Sequence, residues 1–370
     1  MDIFEKRRNN LKELLNEKKF DAVLIESPEN LFYYTGFTGG EAAFLMSVED
    51  RFAFKITDTS KDASMCIITD SRYYEQVEKE CPGIALLRLE KHTYMEVFKE
   101  LLMSDLKLAV EDSMNLTRYL KFVEEIKNVK LDVCGELINR PRMVKDETEL
   151  ELIRRAEAIG DEAFTHVLDI IKPGVMENDI ALEIEFFMRK QGASKLSFDT
   201  IVASGTNSSM PHAQVTDKVI ENGDFVTMDF GCVYKGYCSD MTRTVVAGKP
   251  SDEMKKVYDI VFEANKRAMA GIKEGVKCND IDSLARDYIK ECGYGEYFGH
   301  GLGHGVGLYI HEEPRFSPKC DVVTKENMVI TDEPGIYLPG KFGVRIEDLV
   351  VVKKDGCEVL SHSPKELIII

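Results

Sequence analysis

Apolar and polar positions in the first 140 residues follow two different periods. From Ile3 to Leu15 apolar residues recur at helical spacing, whereas Ala22–Ile25 and Leu106–Val110 are short apolar runs typical of buried strands. This mixture of helical segments and short strands predicts a small α/β domain over residues 1–140.

The pattern breaks around Pro141, and a long helix is predicted from about Asp146 to Ile171. A chain of 370 residues also exceeds what one hydrophobic core usually supports. The sequence therefore predicts a second domain over residues 141–370.

An internal repeat lies within the second domain. Residues 171–180 and 272–281 are identical at seven of ten aligned positions, with an offset of 101 residues. In both copies a long helix is predicted to end at an Ile-Lys-x-Gly turn, an Asn-Asp pair is predicted to cap a second helix, and a β-hairpin follows. The repeat predicts a duplicated α+β domain whose halves pack around a pseudo-twofold axis.

Each half carries a pair of acids in a predicted hairpin. In the first half the turn is predicted between Tyr234 and Lys235, which makes Asp229 and Asp240 near cross-strand neighbours. In the second half Glu333 and Glu347 are symmetric about Gly340. The two hairpins are therefore predicted to bring four carboxylates together.

Four carboxylates in one place favour a bound cation. A lone acid on a strand is more often solvated, but like charges at short range raise one another's pKa, and burial adds to the cost. Bound metal removes that conflict. A carboxylate-rich set with one imidazole suits Mn²⁺, Co²⁺ or Fe²⁺, whereas Zn²⁺ more often recruits further His or Cys ligands.

Four histidines fall in two short segments. His212 follows Pro211, and His300, His304 and His311 lie in a segment with glycine at every second position from 299 to 307. Glycines at this density allow the backbone to approach a site closely. A single histidine is more often structural or solvated, but this context predicts His304 as a metal ligand.

Two sequence motifs can be rejected. Arg315 stands where a His-Glu-x-x-His zinc helix starting at His311 needs its second histidine. The glycine-rich run that ends at Lys341 imitates a phosphate-binding loop, but Phe342 replaces the required Ser or Thr.

Charge and cysteine usage limit the partners and the compartment. The formal net charge of -17 repels nucleic acid and anionic lipid surfaces. The nine cysteines occur singly along the chain, and their number is odd, which favours reduced thiols over disulfides. The sequence has no run of roughly 18 apolar residues and no secretion signal at its start. We therefore expect a cytoplasmic protein that binds neither nucleic acid nor membranes.

These motifs together resemble the pita-bread metallopeptidases, in particular their Xaa-Pro aminopeptidase and Xaa-Pro dipeptidase (prolidase) branch. The first domain is similar to the creatinase-type N-terminal α/β domain. The resemblance rests on six motifs in order: Pro211-His212, Met228-Asp229-Phe230-Gly231, Ser239-Asp240-Met241-Thr242-Arg243, the segment 298–314, Glu333-Pro334-Gly335 and Val344-Arg345-Ile346-Glu347-Asp348.

The resemblance implies a role for each candidate residue. Asp229 would bind one metal ion, His304 and Glu333 the other, and Asp240 and Glu347 would bridge the two. The remaining matches are His212 and His311, which would contact substrate, and His300, Tyr337 and Arg345, which would form hydrogen bonds around the metals. Two divalent ions are expected, with Mn²⁺ ahead of Co²⁺, Fe²⁺ or Zn²⁺, and the relatives imply a homodimer.

The expected reaction is hydrolysis of the bond before a proline by a hydroxide that bridges the two ions. His212 or His311 would stabilise the oxyanion, and Glu333 would carry the proton. The proline is implied by the resemblance alone. Arg315 is either a surface residue or a partner for the free carboxylate of a dipeptide, which would favour dipeptidase activity.

Two alternatives share this fold. A creatinase-like C–N hydrolase acts without metals and predicts missing ligands, and a catalytically inactive peptide-binding protein predicts a partial acid set. Two departures from the family pattern, Tyr309 and Asp332, bear on substrate preference and metal affinity and leave the ligand set complete.

Overall fold

A computed structural model of the protein describes residues 2–48, 62–102 and 105–370. The chain divides into two compact units, Met1–Arg142 and Met143–Ile370. Within the described ranges, no helix is both long and apolar enough to cross a membrane. All nine cysteines are free.

The first unit is a mixed sheet with helices. Its helices are α1 (Ile3–Glu17), α2 (Pro28–Thr35), α3 (Tyr74–Glu80), α4 (Tyr94–Leu101), α5 (Leu116–Glu125) and α6 (Gly135–Asn139). Its strands are β1 (Ala22–Ile25), β2 (Ala43–Ser47), β3 (Asp62–Thr69), β4 (Ile84–Arg88), β5 (Leu106–Val110) and β6 (Val129–Val133). The helix and the two strands predicted in this region are confirmed.

The strand order in this sheet is β4-β3-β2-β1-β5-β6. Strand β2 runs antiparallel to both of its neighbours, whereas β1, β5 and β6 pair in parallel. The runs predicted as buried strands are at the centre of the sheet, and Leu24 and Leu108 are completely buried in the same core as Phe98 and Phe122. Burial on both faces explains why these strands are continuous apolar runs.

The second unit contains two pairs of long helices and a set of short antiparallel sheets. Its helices are α7 (Glu147–Leu168), α8 (Glu177–Lys190), α9 (Asp252–Gly271) and α10 (Cys278–Glu291). Short 3-10 helices cover Gly205–Ser209 and Gly295–Tyr297, and a third, Arg140–Met143, lies at the boundary between the units.

The strands of the second unit form the sheets β12-β9-β8, β11-β10-β7, β14-β13-β15-β18-β19 and β16-β17. The strands are β7 (Lys195–Leu196), β8 (Ile201–Ser204), β9 (Asp224–Phe230), β10 (Cys232–Tyr234), β11 (Tyr237–Cys238), β12 (Met241–Ala247), β13 (Gly303–Gly305), β14 (Glu312–Phe316), β15 (Val329–Asp332), β16 (Gly335–Leu338), β17 (Phe342–Arg345), β18 (Asp348–Lys353) and β19 (Gly356–Val359).

The duplication appears in the helices and the cores. Helix α7 begins at a capping box in which Asp146 and Glu149 exchange side-chain and backbone hydrogen bonds. Helices α7 and α8 share one hydrophobic core with β9 and β12, and α9 and α10 share another with β15, β16, β17 and β18. Each helix pair therefore packs in a core of its own, and Phe225 of β9 and Val246 of β12 extend into the core of α9 and α10.

The predicted Asn-Asp caps of α8 and α10 are wrong. The cap residues are Met176 and Lys277, and neither makes a side-chain capping hydrogen bond. Both residues are extended because each forms an isolated antiparallel bridge, Met176 with Val219 and Lys277 with Val323. Long-range pairing thus fixes the entry to the helix in both copies, and the Asn-Asp pairs lie in the first helical turn.

Candidate metal centre

The first hairpin brings Asp229 and Asp240 to the same face, in a register that differs from the predicted one. Asp229 lies opposite Thr242, so Asp240 is its diagonal neighbour. The turn closes one residue later than predicted because Lys235 and Gly236 both adopt positive φ, 47° and 95°, as a two-residue hairpin turn requires. The carboxylates still interact, because the charge of Asp229 contributes to raising the pKa of Asp240.

The second hairpin has the predicted register. Gly335 pairs with Arg345 and Asp332 pairs with Asp348. Glu333 and Glu347 therefore lie level with each other, where the β15–β18 ladder gives way to the β16–β17 ladder. The turn passes through Gly340 at a φ of 73°.

The imidazole of His304 lies between acids of both hairpins. Its Nε2 is 3.4 Å from Asp240 Oδ2 and 3.5 Å from Glu333 Oε1. One ligand atom from each of Asp240, His304 and Glu347 lies within 4.8 Å of the other two. A divalent cation between these atoms would have ligands from both halves of the duplication.

Glycine permits the close backbone approach that positions His304. A Cβ on the neighbouring Gly303 would lie 1.9 Å from the carbonyl oxygen of Thr331. The backbone N–H of His304 donates to Thr331 Oγ1 at 3.0 Å. The predicted close approach of the glycine-rich segment is therefore confirmed at this position.

Burial dominates the electrostatics of the centre. Burial and neighbouring carboxylates raise the pKa of Asp240 and Glu347, and burial raises that of Glu333 to about 8. Burial and His311 lower the pKa of His304 to about 3. His304 Nδ1 lies 3.2 Å from the Gly305 carbonyl, which accepts the ring proton and leaves the Nε2 lone pair facing the acids.

The residues fit divalent cations. Asp229 Oδ1 is buried and has no hydrogen-bond partner among the residues that the structure describes. A buried carboxylate oxygen without a donor is costly unless a cation neutralises it. The same cation would relieve the repulsion between the four acids. The oxygen-rich donor set with one imidazole is typical of Mn²⁺, Co²⁺ and Fe²⁺ sites.

Side chains around the acids fix their orientation. Arg345 donates to Asp229 Oδ2 at 2.5 Å, to the Thr242 hydroxyl at 2.9 Å and to the Tyr337 hydroxyl at 2.8 Å. Thr242 in turn donates to Glu347 Oε2 at 2.6 Å. The Tyr337 hydroxyl lies 3.0 Å from His300 Nε2. Asp229 and Glu347 are thus each held by a side chain from the other half.

The centre opens into a cavity of about 820 Å³, a volume suited to small ligands. The predicted site residues that line it are Asp229, Asp240, His304, Glu333, Glu347, His212, His300, His311, Arg315 and Arg345. Tyr337 reaches this group through Arg345 and His300. The rings of His304 and His311 meet edge to face at 4.5 Å, and Arg315 lies opposite His304 in the β13–β14 pairing.

Sequence reasoning missed Glu157, whose carboxylate accepts a hydrogen bond from the backbone of Asp240. Glu157 is fully buried, accepts the backbone N–H of Asp240 at 3.2 Å and accepts the Ser361 hydroxyl at 2.6 Å. Burial raises its pKa to about 8. The sequence contained a signal, because this acid lies between Ala156 and Ile159 on the apolar face of α7.

A carboxylate-rich centre with one histidine, inside a duplicated α+β unit, is typical of metal-dependent hydrolases. The chain belongs to metallopeptidase family M24, whose model matches residues 151–354. Residues 7–144 match the Creatinase/Prolidase N-terminal domain. These matches confirm the predicted fold class, a creatinase-type domain followed by a pita-bread catalytic domain, and imply divalent metal ions.

Relatives are similar over nearly their whole length. An Xaa-Pro dipeptidase of Pyrococcus horikoshii is 37% identical, with 100% of both chains covered. The solved structure of an Xaa-Pro dipeptidase from Bacillus anthracis is 42% identical with a TM-score of 0.91, covering 99% of this chain and 100% of that one. The X-Pro aminopeptidase structure from Thermotoga maritima is 39% identical with a TM-score of 0.84, covering 96% and 99%.

Proposed function

We propose that the protein is a dinuclear metallopeptidase that hydrolyses the bond between an N-terminal residue and proline, in dipeptides or at the start of longer peptides. The observation that carries this proposal is the convergence of Asp240, His304 and Glu347, whose ligand atoms lie within 4.8 Å of one another. The similarity to proteins named Xaa-Pro dipeptidase and X-Pro aminopeptidase supports proline as the residue after the cut.

The proposed ligand set is Asp229 for one ion, His304 and Glu333 for the other, and Asp240 and Glu347 as bridges. The electrostatic coupling of Asp240 to Asp229, Glu333 and Glu347 supports its central position. Bound divalent ions, for which we propose Mn²⁺, supply Lewis acidity and lower the pKa of a coordinated water.

The chain's own residues orient the peptide and handle the proton. We assign Glu333 as the proton carrier because its carboxylate lines the cavity beside the other proposed ligands. Burial lowers the pKa of His311, so its neutral ring has one N–H to donate. We assign His212 and His311 as donors to the oxyanion, a contact whose loss typically costs about 2.7 to 4 kcal/mol.

Arg315 supports dipeptides as the preferred substrates. It lines the cavity, and its side chain is 42% exposed, so its guanidinium is accessible to the free carboxylate of a dipeptide. The competing aminopeptidase proposal is favoured by the likeness to the Thermotoga maritima protein. Cleavage of Gly-Pro in preference to Gly-Pro-Pro supports the dipeptidase, and the reverse preference removes the argument from Arg315.

The organisation of the protein is proposed on separate grounds. Residues 1–140 and 141–370 are the proposed extents of the two domains. Nine free cysteines support the reducing cytoplasm as the compartment. The proposed homodimer is supported by an exposed apolar stripe on α5, formed by Leu116, Leu120 and Val123. Size-exclusion chromatography with light scattering tests the dimer.

The decisive experiment measures metal content and Xaa-Pro hydrolysis for wild type and Asp240→Ala in parallel. We expect two ions per chain in wild type, with fewer ions and no measurable hydrolysis in Asp240→Ala. The matched control is Asp355→Ala, which removes an exposed carboxylate between β18 and β19. Equal activity in all three proteins would overturn the mechanism.

The same assays separate the two rival functions. Metal-independent hydrolysis of a small C–N substrate would favour the creatinase-like alternative. Peptide binding without turnover in the metal-loaded protein would favour the inactive binding protein. The complete set of five ligand residues argues against both.

A further inference from the structure

One wall of the catalytic cavity is a single face of helix α8. Asn178, Ala181, Leu182 and Glu185 line the cavity at intervals of three, four and seven residues, which places them on one side of the helix. The face extends over roughly 10 Å. It begins polar, continues with an alanine and a leucine that is 56% exposed, and ends with a carboxylate.

The segment before β8 continues this wall. Phe198 and Asp199 line the cavity, and two residues later Ile201 lies opposite Asp229 in the β8–β9 pairing. Asp199 therefore lies near the end of the cavity at which Asp229 is located. We call Leu182, Glu185, Phe198 and Asp199 the α8 wall. It combines two large apolar side chains with two acids.

The two acids of the α8 wall have no partner within the described parts of the chain. Neither Glu185 nor Asp199 takes part in a hydrogen bond or an ion pair there. The other cavity acids belong to the proposed metal centre, and Arg345 is paired with Asp229. Two accessible negative charges in the cavity are therefore left for a ligand.

Positive and negative charges lie beside different ligands of the proposed metal centre. Arg315 lies on β14 opposite His304, whereas Asp199 of the α8 wall is two residues from Ile201, which lies opposite Asp229. A peptide whose carboxylate meets Arg315 would direct the residue before the scissile bond toward the α8 wall. The charges on the two sides then match the charges at the two ends of the substrate.

We propose that the α8 wall is the subsite for the N-terminal side chain and that it selects residues with an apolar stem and a cationic end, namely lysine or arginine. The stem packs against Leu182 and Phe198, and the cation meets Glu185 and Asp199, as long basic side chains do when they cover apolar surface. The inference rests on the proposed Xaa-Pro peptidase function and names its preferred substrates.

A competing reading is that the two acids bind the α-amino group that every such substrate carries. A pair of substrates separates the two. Lys-Pro and 2-aminoheptanoyl-Pro share the α-amino group and the side-chain length, but the second ends in a methyl group where lysine has its ammonium. Only a side-chain subsite discriminates between them.

The test measures kcat/KM for both substrates with the metal-loaded wild type and with the Glu185→Gln, Asp199→Asn double variant. We expect wild type to favour Lys-Pro by about three- to tenfold at low ionic strength, as two partly exposed ion pairs would give. The double variant should bring the ratio close to one, and added salt should lower the wild-type ratio. Glu185→Lys should shift the preference from Lys-Pro toward Glu-Pro.

The matched control is Asp179→Asn, which removes an exposed carboxylate from α8 that does not line the cavity. It should keep the wild-type ratio. Hydrolysis of both substrates at equal rates by wild type would overturn the inference and leave the peptidase function intact. An equal loss on both substrates in the double variant would assign the acids to the α-amino group instead. Failure to hydrolyse either substrate would overturn the proposed function and this inference with it.

Discussion

The two halves of the catalytic unit each contribute one pair of acids, and they position these acids differently. In the first half Asp229 lies within β9, Asp240 lies in the break between β11 and β12, and the two are diagonal neighbours. In the second half Glu333 and Glu347 lie level with each other between two separate ladders. Both glutamates of the second half, which have the longer side chains, therefore lie in a break between strands. In the first half Asp229 lies within a strand.

The comparison also shows that neither half holds its acids alone. Arg345, from the second half, donates to Asp229 in the first, and Thr242, from the first half, donates to Glu347 in the second. The halves also differ in the buried residues that surround the acids. Glu157 and Ser361 support Asp240, whereas a buried charge cluster lies beside Glu347. The duplicated fold therefore carries an asymmetric set of supporting contacts.

The cluster beside Glu347 contains two aspartates that face each other, Asp332 and Asp348. Asp348 accepts from Arg243 at 2.9 Å and from Lys365 at 2.7 Å. Asn265 donates to both aspartates, at 3.2 and 3.1 Å. Burial and Asp348 raise the pKa of Asp332. The departure from the family pattern at Asp332 thus lies in a hydrogen-bonded network next to Glu333.

The strongest test of the comparison is to remove the charge of one bridging acid from each half. Asp240→Asn and Glu347→Gln should each lower kcat/KM by at least about a thousandfold, or about 4 kcal/mol, because each removes a proposed ligand of both ions. Steady-state kinetics and metal analysis measure the effect. A large loss in only one of the two variants would break the equivalence of the halves.

The next test concerns stability in the cluster beside Glu347. Asp348→Asn should lower the free energy of unfolding by about 3 to 5 kcal/mol, because it leaves buried Arg243 without its counter-ion. Asp332→Asn should change it by less than about 1 kcal/mol, since an asparagine oxygen can still accept from Asn265. Denaturant unfolding measures both. Equal effects would show that the two aspartates are equivalent.

Reciprocal support between the halves is tested by Arg345→Lys and Thr242→Val. Arg345→Lys should weaken metal binding and activity about 10- to 100-fold, because one ammonium cannot reproduce the four directed contacts of the guanidinium. Thr242→Val, which removes one hydroxyl, should lie near the lower end of this range. Metal titration and kinetics measure both losses. Unchanged metal affinity in Arg345→Lys would contradict the support assigned to Asp229.

A further test is the pH dependence of the metal-free protein. The folded pKa of Glu333 and Glu157 is raised to about 8, so the folded state keeps protons that the unfolded state releases, and stability falls as pH rises toward 8. His300 and His304, with folded pKa values of about 4 and 3, act in the opposite sense, but only below about pH 6.5. Between pH 6.5 and 8 the free energy of unfolding should therefore fall, by at most about 1.4 kcal/mol per pH unit for each such proton, and Tm should fall with it.

Differential scanning fluorimetry of the chelator-treated protein follows this dependence. Glu333→Gln, which removes one of the titrating groups, should give a shallower slope than wild type. Saturating metal should reduce the slope as well, because the cation replaces the protons. A Tm that rises between pH 6.5 and 8 would contradict the assignment.

Local sequence predicted one hairpin correctly and the other with a shifted register. Pro339 and Gly340 mark the second turn, and its register is the predicted one. The first turn places Lys235, a residue that rarely adopts positive φ, in the left-handed region beside Gly236. Because the shift is diagonal, it keeps Asp229 and Asp240 on one face, and the expectation that they share a space does not depend on it.

What sequence reasoning could not supply depends on contacts between distant elements. The extended residues before α8 and α10 are fixed by bridges to Val219 and Val323, which no local pattern announces. The contacts of Glu157 with Asp240 and Ser361 likewise join residues 83 and 204 positions apart. The two acid pairs could be predicted because the paired residues of a hairpin are close to each other in the sequence. Their proposed roles as metal ligands remain predictions.

The final residues of the chain are built into the catalytic unit. Ile370 donates its backbone N–H to Val246 at 2.8 Å, the Ser363 carbonyl accepts from Arg243, and Lys365 pairs with Asp348. Arg243 also donates to the backbone carbonyl of Glu347, so residues 363–370 contribute indirectly to the position of a proposed metal ligand. A variant that lacks residues 363–370 would retain every proposed ligand and lose the contacts that hold Arg243 and Asp348 beside Glu347.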